Sequence, residues 1–168
     1  AVTDANGRAT RAVYDARGRT TAIIYADGSS AQYGYDADGR VIETVAPCGI
    51  VVRYGYDEAG QLVETTQAFG TAQAATTRYA YDHLGLMTGV TDPLGNATTY
   101  GYDEANRLTR IDYPDGTYST YGYDPVGNRL SKRDRDGSQR FYLWDGAHLI
   151  QEIDGSGNTL ARYVYGDL

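Results

Sequence analysis

Seven aspartates recur at a near-fixed interval, and a row of carboxylates is the first feature of this sequence that could do chemistry. Asp15, Asp36, Asp57, Asp82, Asp103, Asp124 and Asp145 each follow an aromatic residue. Glycoside hydrolysis uses two carboxyl groups at a set separation in a cleft. An active site occurs once, however, whereas these aspartates come once per period. The pattern suits a local task done over and over, each carboxylate accepting backbone N–H groups inside its own turn. Asp36-Ala37-Asp38-Gly39 and Asp134-Arg135-Asp136-Gly137 begin as calcium loops do, but lack the third acidic ligand and the distal Glu. His83, His148 and Cys48 are the only histidines and the only cysteine. With no Gly-x-Ser-x-Gly and no His-Glu-x-x-His, nucleophilic and zinc chemistry lack their parts. The residues therefore point to no catalytic group, no metal and no cofactor.

Other motifs reduce to local structure as well. Gly155-Ser156-Gly157-Asn158 is a turn, since no helix follows it to make a phosphate loop. Arg133-Asp134-Arg135-Asp136 alternates in sign and reads as a solvated hairpin tip. Asn96-Ala97-Thr98 matches a glycosylation sequon, relevant only in a eukaryotic secretory host.

Stepping along the chain shows what holds the aspartates in place. The aromatic residues before them and the next in the series stand at 14, 35, 56, 81, 102, 123, 144 and 165, separated by 21 residues everywhere except one interval of 25. These are Tyr14, Tyr35, Tyr56, Tyr81, Tyr102, Tyr123, Trp144 and Tyr165, so the series loses its Asp at Tyr165-Gly166. The long interval carries four extra residues within 68–77, a stretch rich in Ala, Thr, Gln and Gly that belongs in a loop. Three residues after each Asp comes a turn-former: Gly18, Gly39, Gly60, Gly85, Asn106 and Gly127, with His148 breaking the rule. Asp followed by Gly or Asn three positions later is a turn signature, because Gly and Asn tolerate positive φ. A second turn lies halfway round each period, as in Ala26-Asp27-Gly28-Ser29 and Pro114-Asp115-Gly116.

Two turns per 21 residues leave segments of about 5–7 residues, ordinary strand length. Val41–Val45 and Ile50–Tyr54 are β-branched and aromatic, as strands prefer. No window has helical apolar spacing between caps. The fold class expected is all-β, a tandem array of hairpins over 1–168. In Tyr33-Gly34-Tyr35 and its equivalents the two-residue strand period puts both rings on one side and Gly on the other. Stacked repeat on repeat, the rings are expected to form ladders covering one another. Tyrosine, 17 residues against 2 Phe, is expected to supply the buried area that aliphatics do not.

Composition bounds the partners. The net charge of −7 argues against a nucleic-acid grip, which needs clustered Lys and Arg. No run of 18 apolar residues exists, so no helical membrane span is expected. The start of the sequence shows no signal peptide.

The pattern Tyr-Gly-Tyr-Asp-x-x-Gly-Arg-Val at Tyr33 to Val41, in register from about Asp4 to Tyr165, resembles the YD repeat of Rhs proteins, toxin-complex shell subunits and teneurins. The stretch Gly127-Asn128-Arg129-Leu130, Phe141-Tyr142-Leu143-Trp144-Asp145 and Leu160 to Tyr165 resembles the segment just before the core of bacterial Rhs proteins. The resemblance implies a curved, spiralling β-sheet wound into a hollow cocoon that holds a variable C-terminal toxin until delivery. It implies as partners the remaining shell segments or further copies, the toxin as cargo, and proteins of a secretion apparatus. It implies secretion, or delivery as the effector of a bacterial secretion system. Family members carry an Asp-Pro-x-Gly self-cleavage motif. Asp92-Pro93-Leu94-Gly95 and Asp124-Pro125-Val126-Gly127 match its first four positions, but both stand in repeat register and are followed by Asn, so they read as turns. The sequence closes at Gly166-Asp167-Leu168, and neither toxin nor protease is expected within it.

A second function class is a glycan- or cell-surface-binding module, since aromatic repeats of similar length stack exposed rings on sugars or quaternary ammonium groups. Exposure separates the two: buried rings for a shell, open rings for a binding module. Size argues that the array is a segment of something longer. About sixteen strands at ~4.8 Å make a sheet about 75 Å wide, and a ring about 25 Å across if closed. A 100-residue cargo domain already has a radius of gyration of ~13 Å. Unpaired strand edges at both ends are therefore expected to pair with more shell or with other copies.

Overall fold

The computed structural model describes residues 2–3, as backbone, and 9–165. Asp4, where the resemblance starts, and Gly166, Asp167 and Leu168 lie outside the described residues. The described residues form sixteen β-strands and no helix, the all-β class expected. The chain divides into two compact units, Ala1–Ala80 with Thr91–Gly95, and Tyr81–Val90 with Asn96–Leu168.

The first unit is an antiparallel meander. Its strands are β1 (Val2–Thr3), β2 (Ala9–Tyr14), β3 (Thr20–Ile24), β4 (Ser30–Tyr35), β5 (Val41–Val45), β6 (Val51–Tyr56), β7 (Leu62–Gln67) and β8 (Ala75–Tyr81), the last of which ends at the boundary between the units. Each pairs with the next in chain order. β9 (Met87–Thr91) also straddles the boundary. The second unit repeats the meander with β10 (Ala97–Tyr102), β11 (Leu108–Asp112), β12 (Tyr118–Tyr123), β13 (Arg129–Arg133), β14 (Gln139–Asp145), β15 (His148–Asp154) and β16 (Thr159–Arg162).

The four extra residues fall between β7 and β8, in a loop tied by Thr71, whose hydroxyl and N–H both donate to the Ala68 carbonyl. Phe69 N–H donates to Val51, and the Arg53 guanidinium lies 3.8 Å from the Phe69 ring centre.

One irregularity recurs that the residue pattern did not announce. In β4–β5, Gly34 pairs with Glu43 but Tyr35 pairs with Val41, so Ile42 is an extra residue opposite none. The same slip occurs one residue before each aromatic of the series in β2–β3, β6–β7, β10–β11, β12–β13 and β14–β15. A bulge of this kind increases local twist and re-aims the side chains beside it.

The layer is thin. Among the described residues only Ala31 and Tyr142 are buried apolar side chains, with Thr66 and Ser119 the buried polar ones. The motif tyrosines of β4, β6, β10 and β12 are half-buried. Tyrosine does not build a conventional core here. A hairpin is marginal on its own, so stability must come from contacts between neighbouring repeats within the sheet.

Candidate functional site

The repeated residues converge on one structure, best followed from the first aspartate turn. Asp15 N–H donates to the Arg19 carbonyl at 2.9 Å, and Gly18 N–H donates back to the Asp15 carbonyl at 3.0 Å. This is a type I turn closed by a residue in the left-handed region, where Gly18 has φ +79°. Gly39, Gly60, Gly85 and Gly127 take the same conformation, and Asn106 does so at φ +62°. The side-chain oxygen Oδ1 of Asp15 accepts from the N–H groups of Arg17 and Arg19, at 2.8 and 2.9 Å. Asp82, Asp103 and Asp124 each hold two N–H groups of their own turns in the same way. Asp36 and Asp57 bond to Arg40 and Gln61.

The second carboxylate oxygen reaches the arginine that follows the glycine. Nε of Arg19, Arg40 and Arg107 donates to Asp15, Asp36 and Asp103 at 2.6–2.7 Å. Held in that way, each guanidinium extends into the next repeat. Arg19 lies 4.6 Å from the centre of the Tyr35 ring, Arg40 5.2 Å from Tyr56, and Arg107 4.9 Å from Tyr123. The Nη1 atoms donate to the carbonyls of Asp36, Asp57 and Asp124. The covered tyrosine completes the link. Its hydroxyl donates back to the strand after the preceding turn: Tyr35 to Thr20, Tyr56 to Val41, Tyr102 to Met87 and Tyr123 to Leu108, at 2.7–3.0 Å. At these three junctions, Arg19–Tyr35, Arg40–Tyr56 and Arg107–Tyr123, one repeat is thus clasped to the next by a ring, a guanidinium and two carbonyls.

These contacts correct the ladder expectation. Tyr35, Tyr56 and Tyr123 are covered by arginine rather than by another ring. A delocalised cation over an aromatic face gains electrostatic energy that ring-on-ring stacking lacks, and its N–H groups bond at the same time. The recurrence of arginine at 19, 40 and 107 was the available signal.

The departures from the pattern now have physical accounts. Trp144 keeps the aromatic's bond, its Nε1 donating to the Arg129 carbonyl at 2.9 Å. Tyr165 keeps it too, donating to Leu149 at 3.0 Å while its ring meets His148 at 4.5 Å. Asn128 stands where arginine stands elsewhere and does part of its work, its Nδ2 reaching Asp124 at 2.9 Å and the Gly146 carbonyl at 3.3 Å. Arg129 beside it covers Tyr142 at 4.7 Å. Tyr14 is 61% exposed and lacks the clasp bond among the described residues.

Asp145 differs from the other six. It pairs with His148 across a two-residue turn, Gly146-Ala147, with the positive φ moved to Gly146 at +57°. The shorter turn explains why His148 needs no glycine and leaves the Asp145 carboxylate without turn bonds.

The second row of turns has the same backbone geometry, as at Tyr25–Ser29, Tyr113–Thr117 and Asp134–Ser138. The Asp134–Asp136 tip is more than a solvated one. Arg135 pairs with Asp115, donates to the Thr117 hydroxyl at 3.0 Å and lies 4.7 Å from the Tyr113 ring centre. The Thr117 hydroxyl and then Arg135 hold the Asp115 carboxyl down at about 2. Asp15 and Asp103 are lowered chiefly by the backbone N–H groups of Arg19 and Arg107. Asp36 is lowered because the bonds from Arg40 outweigh its desolvation.

Apart from Asp145, the carboxylates of the series are therefore engaged in turns and ion pairs. Asp36 and Asp38, the start of one calcium-like loop, both bond to Arg40. Asp92-Pro93-Leu94-Gly95 and Asp124-Pro125-Val126-Gly127 are closed turns, Gly95 and Gly127 donating to the Asp92 and Asp124 carbonyls. Among the described residues no group of three or more His, Cys, Asp or Glu is placed to hold a metal ion, and no helix is long and apolar enough to cross a membrane.

The RHS Repeat family model matches residues 1–30, 14–49, 35–72, 71–97, 81–118 and 102–139. No curated protein matches in sequence. Among solved structures, a chain of the TcdB2–TccC3–Cdc42 crystal structure is similar with TM-score 0.67 at 17% identity, over 90% of this chain and 9% of that one. The Photorhabdus luminescens Tc holotoxin pore is similar with TM-score 0.66 at 17% identity, over 89% of this chain and 9% of that one. The likeness is one of fold, and the chain spans about a tenth of the length of those it resembles.

Proposed function

The chain belongs to the RHS repeat family, and from that premise we propose that it is a non-catalytic wall segment of a shell that encloses and delivers a C-terminal toxin. Residues 1–168 are one array of about eight repeats with a four-residue insertion within 68–77, part of a longer shell. Its partners are further shell segments or copies, the toxin cargo and components of a secretion apparatus, and it acts outside the producing cell.

The observation that carries this reading is the clasp. The aspartates, arginines and tyrosines that could do chemistry are used to join repeat to repeat, as in Asp36, Arg40 and Tyr56. A wall needs that and a catalyst does not. The sugar-binding alternative needs free aromatic faces, whereas the rings of Tyr35, Tyr56 and Tyr123 are half-buried under guanidinium groups. Likeness in fold to chains of toxin-complex structures supports the same class.

The test is limited proteolysis of the full-length gene product. Residues downstream of the array should resist protease while the array is folded and become cleavable when it is unfolded. Cleavage at the rate of a free peptide, with the array still native by circular dichroism, overturns enclosure. Saturable sugar binding lost on removing the Tyr35 and Tyr56 rings would establish the alternative.

A further inference from the structure

Six Asp-Gly pairs occur in the chain: Asp27-Gly28, Asp38-Gly39, Asp115-Gly116, Asp136-Gly137, Asp145-Gly146 and Asp154-Gly155. The Asp-Gly bond is the one most open to isomerisation, because glycine has no side chain to block its own nitrogen. That nitrogen attacks the Asp Cγ, a C–N bond forms, and the carboxyl oxygen leaves as water. The resulting five-membered succinimide takes up water again at either carbonyl and opens to aspartate or isoaspartate. No oxidant or cofactor is needed, and the atoms balance, one water leaving and one returning.

The reaction needs a carboxyl group free to swing and a backbone nitrogen free to meet it. At four of the pairs neither is free. Asp38 is held by the Arg40 guanidinium at 2.9 Å, and Gly39 N–H is given to the Asp36 carbonyl. Asp27 is held by the N–H and hydroxyl of Ser29 at 2.9 and 2.7 Å, and Gly28 N–H is given to the Tyr25 carbonyl. Asp115 is held by Thr117 and Arg135, with Gly116 N–H on Tyr113. Asp136 is held twice by Ser138, with Gly137 N–H on Asp134. At Asp154 the nitrogen of Gly155 is free, but the carboxylate takes three bonds from Ser156 and Asn158. Asp145-Gly146 is the exception on both counts. Asp145 is exposed with no hydrogen bond or ion pair to its carboxylate among the described residues, and Gly146 N–H has no acceptor there. A Cβ built at Gly146 would meet nothing within 4 Å, so the approach is open.

We propose that Asp145-Gly146 is a modification site at which this protein forms succinimide and isoaspartate in preference to its other five Asp-Gly pairs. Isoaspartate inserts a methylene into the backbone of a two-residue turn flanked by the Asp145–His148 pair. The residue before it is Trp144, whose indole clasps Arg129. The modification therefore loosens the link between the last two hairpins and their predecessor.

The experiment incubates the folded chain at 37 °C and mildly acidic pH, with peptide mapping by electron-transfer mass spectrometry over days. Isoaspartate at 145, preceded by a species lighter by one water, should accumulate about tenfold faster than at 27, 38, 115, 136 or 154, since each of those must first break at least two hydrogen bonds. Asp145→Glu should abolish the product, because the six-membered imide forms far more slowly. In denaturant the six sites should converge in rate. Equal or faster reaction at any of the other five in the folded chain overturns the proposal, and so does a preference for 145 that survives unfolding.

Discussion

Tyr56 shows how much a single residue does in this sheet. Its hydroxyl donates to Val41 at 2.9 Å while its ring carries Arg40. Tyr56→Phe removes the hydroxyl and leaves a half-buried carbonyl short of a donor, so stability should fall by about 1 kcal/mol in urea denaturation. An unchanged midpoint would mean that water replaces the bond at no cost. The aspartates add a pH dependence whose sign follows from their lowered values. Asp15, Asp36, Asp103 and Asp124 all titrate below the ordinary value of 3.8. A depressed carboxyl contributes stability that is fully present above its unfolded value and is lost as pH falls through the folded one. The thermal midpoint should thus be level down to about pH 5 and drop below about pH 4. Asp115, at about 2, gives way last. A midpoint flat to pH 2 would show that the turn carboxylates are structurally idle.

The turn and the strand were largely legible in the sequence, and the bulge was not. Asp with Gly three positions on has a steric and hydrogen-bonding reason that acts within five residues, so local pattern reveals it. Ile42, Val63 and Leu130 look like any strand residue, and only the partner strand shows that they are surplus. The covering of tyrosine by arginine was hidden for a similar reason, since Arg40 and Tyr56 are sixteen positions apart and meet only once the hairpins lie side by side. The same distinction predicts opposite outcomes for two glycines five residues apart. Gly34 has ordinary backbone, and an added Cβ would sit 3.4 Å from that of Glu43, so Gly34→Ala should change stability by less than about 1 kcal/mol. Gly39 has φ +92°, with Arg19 Nη1 3.7 Å from the Cβ position. Gly39→Val should lose ~1 kcal/mol or more, because a β-branched residue resists positive φ. Comparable melting of the two variants would refute the turn assignment.

On the scale of the whole molecule, the sequence's poverty in aliphatic residues foreshadowed a fold with little core, but not that its tyrosines would be only half-buried. Chain-order pairing leaves β16 bonded on one side only among the described residues. An open edge recruits strands, so light scattering should show association that grows with concentration and weakens in Leu160→Lys, where a charge sits on the edge. A monomer at every concentration would mean that the edge is already covered. The clasp has a further consequence, which concerns time. Its aromatic bonds join residues 15 apart, and in each the tyrosine or tryptophan comes later in the chain than the carbonyl it seeks. During synthesis every new ring therefore leaves the ribosome with its acceptor already made. No repeat waits for a distant partner, and closing such short loops is the fast regime of folding. Growth can then follow translation hairpin by hairpin, and an unfinished chain exposes one raw strand at a time rather than a collapsed, aggregation-prone whole.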